Sequence, residues 1–399
     1  MSVFWRVAAP FIAGYFVSYV YRMVNAVLAP ALVAEFGLNA GELGLLSSIY
    51  FLSFAVVQLP LGLVMDRFGP RRVNAALLLV AAVGGWLFSR GQSYETLLFA
   101  RALIGLGVSA CLMASLTAFV LWYPPERIAT LNGMAFAAGA LGAMTATVPL
   151  ELLLRAWHWR DAFLLIVAAT LAVSAVLWLW VPDRVGRTRE TFQEQLRASV
   201  AMFTDAAFLR LAVCVGASQS AAVALQTLWI ATWLRDVAGY APAEVARGLL
   251  AVNVAMIVGY VGFGRAADHW QKQGRDPLVL LVRGVAAAAA SLGLAVFGFG
   301  SIVVWCAFVA GGTAVVLSYA ILSRRYPREM AGRVNTGVNL VGFVGMFSGQ
   351  WGIGLVLDLW PQTGTGYSAE AYPWALGVVW AVQLAGLAWL WTGRKLLAS

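Results

Sequence analysis

Of 399 residues, 61% are apolar and 11% charged, with a mean hydropathy of +0.81 and a net charge of +9. A soluble domain runs at roughly 45–50% apolar and about 25% charged, and a folded chain must cover itself with polar groups, so a soluble enzyme and a disordered chain are both excluded. Long unbroken apolar runs, in place of short alternating segments, leave an all-α polytopic membrane protein and exclude a β-barrel.

A helix needs about 20 apolar residues to cross a bilayer. The runs between charged or Pro/Gly-rich breaks predict twelve spans, at 5–32, 42–65, 72–90, 96–121, 130–152, 160–181, 208–234, 245–266, 278–299, 301–322, 333–357 and 373–393. Arg6 precedes the first run and no A-x-A site follows it, so this segment is expected to stay as a membrane helix and not to be cleaved. Spans nine and ten nearly touch at Gly300. One long polar interruption, from Pro182 to Asp205, carries Arg184, Arg187, Arg189, Glu190, Glu194 and Arg197. It predicts an N-terminal six-helix bundle over 1–181, a linker over 182–207 whose middle suits a surface-lying amphipathic helix, and a C-terminal six-helix bundle over 208–399.

Placing the N-terminus in the cytoplasm puts there the loops after even-numbered spans. These hold Arg67, Arg71, Arg72, Arg127, Arg184, Arg265, Lys272, Arg275, Arg324, Arg325, Arg328, Arg394 and Lys395 among others. The opposite loops hold only Arg90, Arg155, Arg160, Arg235 and Arg247. The positive-inside rule therefore predicts both termini in the cytoplasm, and the bacterial inner membrane is the expected location. The +9 charge is explained by topology, so no nucleic-acid partner is expected. Cys111, Cys214 and Cys306 lie far apart in apolar runs and His158 and His269 in different loops, which gives no disulfide framework or zinc cluster. Nothing matches the phosphate-binding G-x-x-x-x-G-K-[ST] pattern. No metal and no cofactor is expected.

The two halves repeat. Glu42 and Glu244 open spans 2 and 8, Gly62-Leu-Val-Met-Asp66 and Gly264-Arg-Ala-Ala-Asp268 end them, and all are offset by 202 positions. Tyr123-Pro-Pro-Glu126 with Asn132, and Tyr326-Pro-Arg-Glu329 with Asn335, are offset by 203. Six spans repeated in one orientation imply two bundles related by an axis along the membrane normal.

Gly62-Leu-Val-Met-Asp66-Arg67-Phe-Gly69-Pro-Arg71-Arg72 resembles the signature loop of the major facilitator superfamily; Arg101-Ala-Leu-Ile-Gly105-Leu-Gly107 resembles its fourth-helix motif, and Trp159-Arg160-Asp161-Ala-Phe163 the opening of its sixth helix. Tyr21-Arg22-Met-Val-Asn25, Pro30, Gly44 and Gln58-Leu-Pro60-Leu-Gly62 are similar to the anion:cation symporter branch, which carries organic anions and uses a first-helix arginine. That branch often has an acid before the arginine, where this chain has Tyr21, and a glutamate seven residues after the fourth-helix arginine, where it has Val108. The resemblance implies a transporter, not an enzyme, with a gating set of Gly62, Asp66, Arg67, Arg71 and Asp268. In it Asp66 faces the start of span 11 near Gly332, Asp268 faces span 5 near Ala129, and Arg67 and Arg71 tie the loop to neighbouring acids.

Arg22 lies well inside span 1. Burying it costs about 2.5–3.5 kcal/mol on insertion scales, so its presence marks a candidate anion site. Helical spacing puts Tyr15, Ser18, Tyr19, Arg22 and Asn25 on one arc, and a guanidinium among phenols suits a carboxylate or phosphate gripped bidentately. Arg101, one to two turns into span 4, is read either as a structural arginine snorkelling to the interface or as an anion attractor. In the second half Gln219, Gln226 and Trp233 share one face of span 7, and Asn335, Asn339, Phe343, Met346 and Gln350 one face of span 11; Asn253, Tyr260, Thr313, Ser318 and Tyr319 line spans 8 and 10. These uncharged faces suit the neutral part of a substrate, or serve as interhelical hydrogen-bond glue. The acids sit at span ends, so a bound anion rather than a mid-membrane carboxylate supplies negative charge. That favours facilitated diffusion or exchange over obligatory proton symport. The reading is a monomeric carrier of a small organic anion working by alternating access in the lipid bilayer. The alternative is an exporter of amphiphilic drugs or metabolites of the same fold, with Arg22 structural.

Overall fold

In the computed structural model the described residues are nearly all helical. The structure describes residues 3–184, 202–326, 331–362 and 366–396, without the side chains of Leu59, Leu63, Asp66, Pro125, Ala129, Ala320, Asn335, Lys395 and residues 323–325 and 331–333. Most of the linker, with the amphipathic helix expected there, lies outside the described residues, as do the side chains of Asp66, Ala129 and Asn335.

Among the described residues, twelve helices are long and apolar enough to cross a membrane. They are α1 (Phe4–Phe36), α2 (Ala40–Phe68), α3 (Pro70–Arg90), α4 (Tyr94–Trp122), α5 (Glu126–Leu154), α6 (Trp159–Trp180), α7 (Ala206–Asp236), α8 (Pro242–Lys272), α9 (Pro277–Val296), α10 (Ile302–Tyr319), α11 (Ala331–Leu357) and α12 (Ala369–Thr392). Spans nine and ten are separate helices, because α9 stops at Val296 and Gly298 turns the chain at φ +86°. The chain divides into two compact units. One is Met1–Gly37 with Ile49–Phe192, and the other is Leu38–Ser48 with Gln193–Ser399.

In the first unit, small residues set the helix spacing. A Cβ on Gly107 of α4 would run into the backbone of Ala81 of α3, and one on Gly105 into the Tyr50 carbonyl of α2. Such contacts let backbones approach, which replaces the hydrophobic drive that lipid removes. The Trp159-Arg160 motif pins the start of α6 to the end of α1: Glu35 accepts from Trp159 Nε1 at 2.7 Å and pairs with Arg160, whose Nη2 also donates to the Gly91 carbonyl at 2.7 Å.

The sequence repeat acquires a physical meaning at the helix starts. Glu42 accepts the Asn39 amide at 3.0 Å while Asn39 Oδ1 accepts the Glu42 amide at 2.7 Å. Glu244 accepts the Ala241 amide at 2.9 Å. Both repeated glutamates therefore fill the N3 position of a helix cap. In the second unit the carboxylate of Asp358, just past α11, accepts the amides of Ala40 and Gly41, both at 2.7 Å. A carboxylate on the N-terminal amides of α2 satisfies two orphan donors and meets the positive end of the helix dipole. Asp358→Ala is expected to lower stability by about 0.5–2 kcal/mol, read as a lower unfolding midpoint of the purified protein; an unchanged midpoint would show the cap to be dispensable.

Candidate functional site

The densest constellation of the expected site residues lies in the first unit, around Arg22. Its guanidinium carbon is 4.6 Å from the centroid of the Tyr19 ring, and 5.9 Å and 6.0 Å from those of Phe54 and Phe51 on α2. Tyr15 meets Tyr19 edge-on at 5.1 Å and Phe136 of α5 at 6.2 Å. A Cβ on Gly139 of α5 would come within 2.8 Å of Tyr15 and 3.0 Å of Tyr19, so a bare α-carbon makes room for both phenol rings. Ring faces are electronegative, and each cation–π contact contributes about 0.5–2 kcal/mol, which offsets part of the cost of a membrane arginine. Stacking uses the face of the guanidinium, whereas a carboxylate is held by the in-plane N–H fork; the two interactions are compatible.

Arg101 is 1% exposed and does not snorkel. Its Nη1 donates to the Tyr21 carbonyl at 3.0 Å, and its guanidinium carbon lies 5.2 Å from the Tyr50 centroid and 6.0 Å from that of Phe88. Close packing of α4 on α2 and α3 seals the side chain inside this unit. Arg22 and Arg101 both interact with Tyr50, whose hydroxyl donates to the Ser18 carbonyl at 3.4 Å. Asn25 and Ser18 are buried beside this group on α1. Tyr50, Phe51 and Phe54 were not among the expected site residues; the aromatic spacing in Tyr50-Phe51-Leu52-Ser53-Phe54 was the available signal.

In the second unit the residues expected on one face of α7 meet different helices. A π-turn over Leu225–Trp229 inserts an extra residue into the helix, and such an insertion rotates everything beyond it. Gln219 faces Gly342 of α11, Gln226 Nε2 donates to Asn253 Oδ1 of α8 at 2.7 Å, and Trp233 packs edge-on to Trp305 of α10 at 5.4 Å. Trp233 lies beyond the π-turn and is rotated relative to Gln219 and Gln226, and the three residues expected on one face meet three different helices. Tyr319 and Asn339, expected on separate faces, are joined by a 2.6 Å hydrogen bond from the phenol to Oδ1. Gln350 Nε2 donates to Thr227 Oγ1 at 3.3 Å, and Met346 and Phe343 are buried. Thr313 and Ser318 bond to carbonyls of their own helix, and Tyr260 is exposed.

Among the gating residues, Gly62, Arg67 and Asp268 are exposed, with Arg67 against the Phe68 ring at 5.4 Å. Arg71 Nη2 donates to the Trp178 carbonyl at 2.7 Å, satisfying an orphan group at the end of α6. Arg72, the next residue, is ion-paired with Asp183.

A buried cluster that the sequence reading passed over closes the far end of α7. Asp236, with 4% of its side chain exposed, accepts from Arg235 at 2.5 and 3.0 Å, from the Tyr372 hydroxyl at 2.8 Å and from the Tyr367 amide at 3.1 Å. Burial pushes the Tyr367 phenol above its ordinary pKa.

The family model of the Major Facilitator Superfamily matches residues 11–350. A probable sulfoacetate transporter of Cupriavidus necator is 28% identical over 45% of this chain and 42% of its own length. A 4-hydroxybenzoate transporter of Pseudomonas putida is 25% identical over 90% of this chain and 86% of its own. The alignment thus spans less than half of the first relative. Among solved structures, a bacterial homologue of the human lysosomal transporter Spinster, in an inward-facing unoccupied conformation, superposes with a TM-score of 0.81 at 16% identity, over 100% of this chain and 98% of that one. That likeness is one of fold.

Proposed function

Because the chain belongs to the Major Facilitator Superfamily, a family of membrane transporters, we propose that it carries a small organic anion by alternating access, with Arg22 as the group that grips the cargo. The observation that carries this reading is the Arg22 guanidinium seated on Tyr19 among Phe51, Phe54 and Tyr15, an arginine kept within a membrane-spanning helix. A carboxylate entering this pocket gains a bidentate charge-assisted pair, and its apolar remainder meets aromatic rings. The cargoes named for the two relatives, sulfoacetate and 4-hydroxybenzoate, both carry a carboxylate and support the same chemistry. Gln226 with Asn253, and Tyr319 with Asn339, supply neutral hydrogen-bonding groups for the rest of the molecule. The two six-helix bundles, 1–181 and 208–399, rock about the cargo, in a bacterial inner membrane with both termini cytoplasmic. Transport is facilitated or by exchange.

Thermal unfolding of the purified protein against aromatic and aliphatic carboxylates, inorganic phosphate and lipophilic cations tests the proposal. A bound cargo at 100 times its Kd stabilises by about 2.7 kcal/mol. A carboxylate is expected to raise the midpoint; stabilisation by lipophilic cations alone would overturn the anion reading in favour of an amphiphile exporter.

A further inference from the structure

Between α8 and α10, within the second unit, runs an open groove of about 640 Å³ lined by Leu250, Val254 and Val258 on one side and Val303 and Cys306 on the other, with Arg247 at one end. Its walls are apolar apart from that arginine. Val258 and Val303 are 63% and 71% exposed, on helices that cross the membrane. Arg247 stands near the start of α8, where the helix enters the bilayer. Glu244, three residues earlier, is turned back onto the Ala241 amide. Among the described residues no carboxylate lies within 4 Å of Arg247.

The dimensions match one leaflet. From Arg247 to Val258 the helix rises by eleven residues, about 16 Å at 1.5 Å per residue, against roughly half of a ~30 Å hydrocarbon core. A cation at the polar end of a leaflet-deep apolar trough is complementary to one kind of molecule, a phosphate headgroup with an acyl chain below it. We propose that this groove is a binding site for an anionic phospholipid, with one acyl chain laid along Leu250, Val254 and Val258 and the phosphodiester paired with Arg247. The groove belongs to the second unit, and Arg22 to the first.

The test is native mass spectrometry of the full-length protein in detergent with phosphatidylglycerol. Arg247→Gln is expected to weaken lipid retention about fivefold, the size of one interfacial basic residue's contribution. Ala255→Phe, which fills the groove, is expected to weaken it further. Arg265→Gln, at the other end of α8, leaves it unchanged, and glycerol phosphate without acyl chains is not retained. Cys306 gives a reading that needs no substitution. Cys111 and Cys214 are buried, so alkylation by a membrane-permeant maleimide reports on Cys306, and phosphatidylglycerol is expected to slow it. Equal retention by the wild-type and Arg247→Gln proteins, retention of glycerol phosphate alone, or an alkylation rate indifferent to the lipid would each overturn the proposal.

Discussion

Arg22→Ala is expected to abolish uptake of the anionic cargo while the protein still inserts and folds. Removing one partner of a desolvated, hydrogen-bonded charge pair costs about 2–5 kcal/mol, an affinity loss of roughly thirty-fold to several thousand-fold. Arg22→Lys is expected to recover little of it, because an ammonium is a point charge without a planar fork and stacks less well on Tyr19. The measurement is cargo uptake into proteoliposomes beside a thermal-unfolding profile of each variant. Cargo affinity unchanged in a folded Arg22→Ala protein would overturn the anion-binding role.

The second large effect is expected at Asp236. Deleting its carboxylate in Asp236→Ala leaves Arg235 a half-buried charge without its pair, and strips a partner from the Tyr372 hydroxyl and the Tyr367 amide. Breaking a buried ion pair from one side costs about 3–5 kcal/mol, a large part of the net stability of a domain. The unfolding midpoint should drop steeply. Removing both charges, in Asp236→Ala with Arg235→Leu, should restore part of the loss, because the unpaired charge is then gone. A single variant as stable as the wild type would show that these donors find other partners.

The difference between these two sites explains what the sequence disclosed. Twelve apolar runs are legible because a bilayer demands about 20 apolar residues per crossing, whatever the tertiary packing. Tyr15, Tyr19 and Arg22 are legible as a group because they share one helix and its 3.6-residue period. Phe51, Phe54 and Gly139 complete the same cluster from two other helices, and no spacing within α1 points to them. Asp236 looked like an ordinary acid at the end of a span; its partners Tyr367 and Tyr372 come 131 and 136 positions later. The π-turn in α7 is a one-residue change of register without a composition signal, and it rotates Trp233 out of the alignment expected with Gln219 and Gln226. The repeated glutamates went the other way: their offset was plain in the sequence, and their work as helix caps became visible only from the amides they accept.

Arg101 has an electrical consequence. It is shut inside the first unit, and among the described residues no carboxylate lies within 4 Å of it. Mobile counter-ions screen exposed charges over about 8–10 Å in ordinary buffers, but screen a buried charge far less. The field of this arginine on the neighbourhood of Tyr50 and Arg22 is therefore one that the saltiness of the surrounding medium does little to erode.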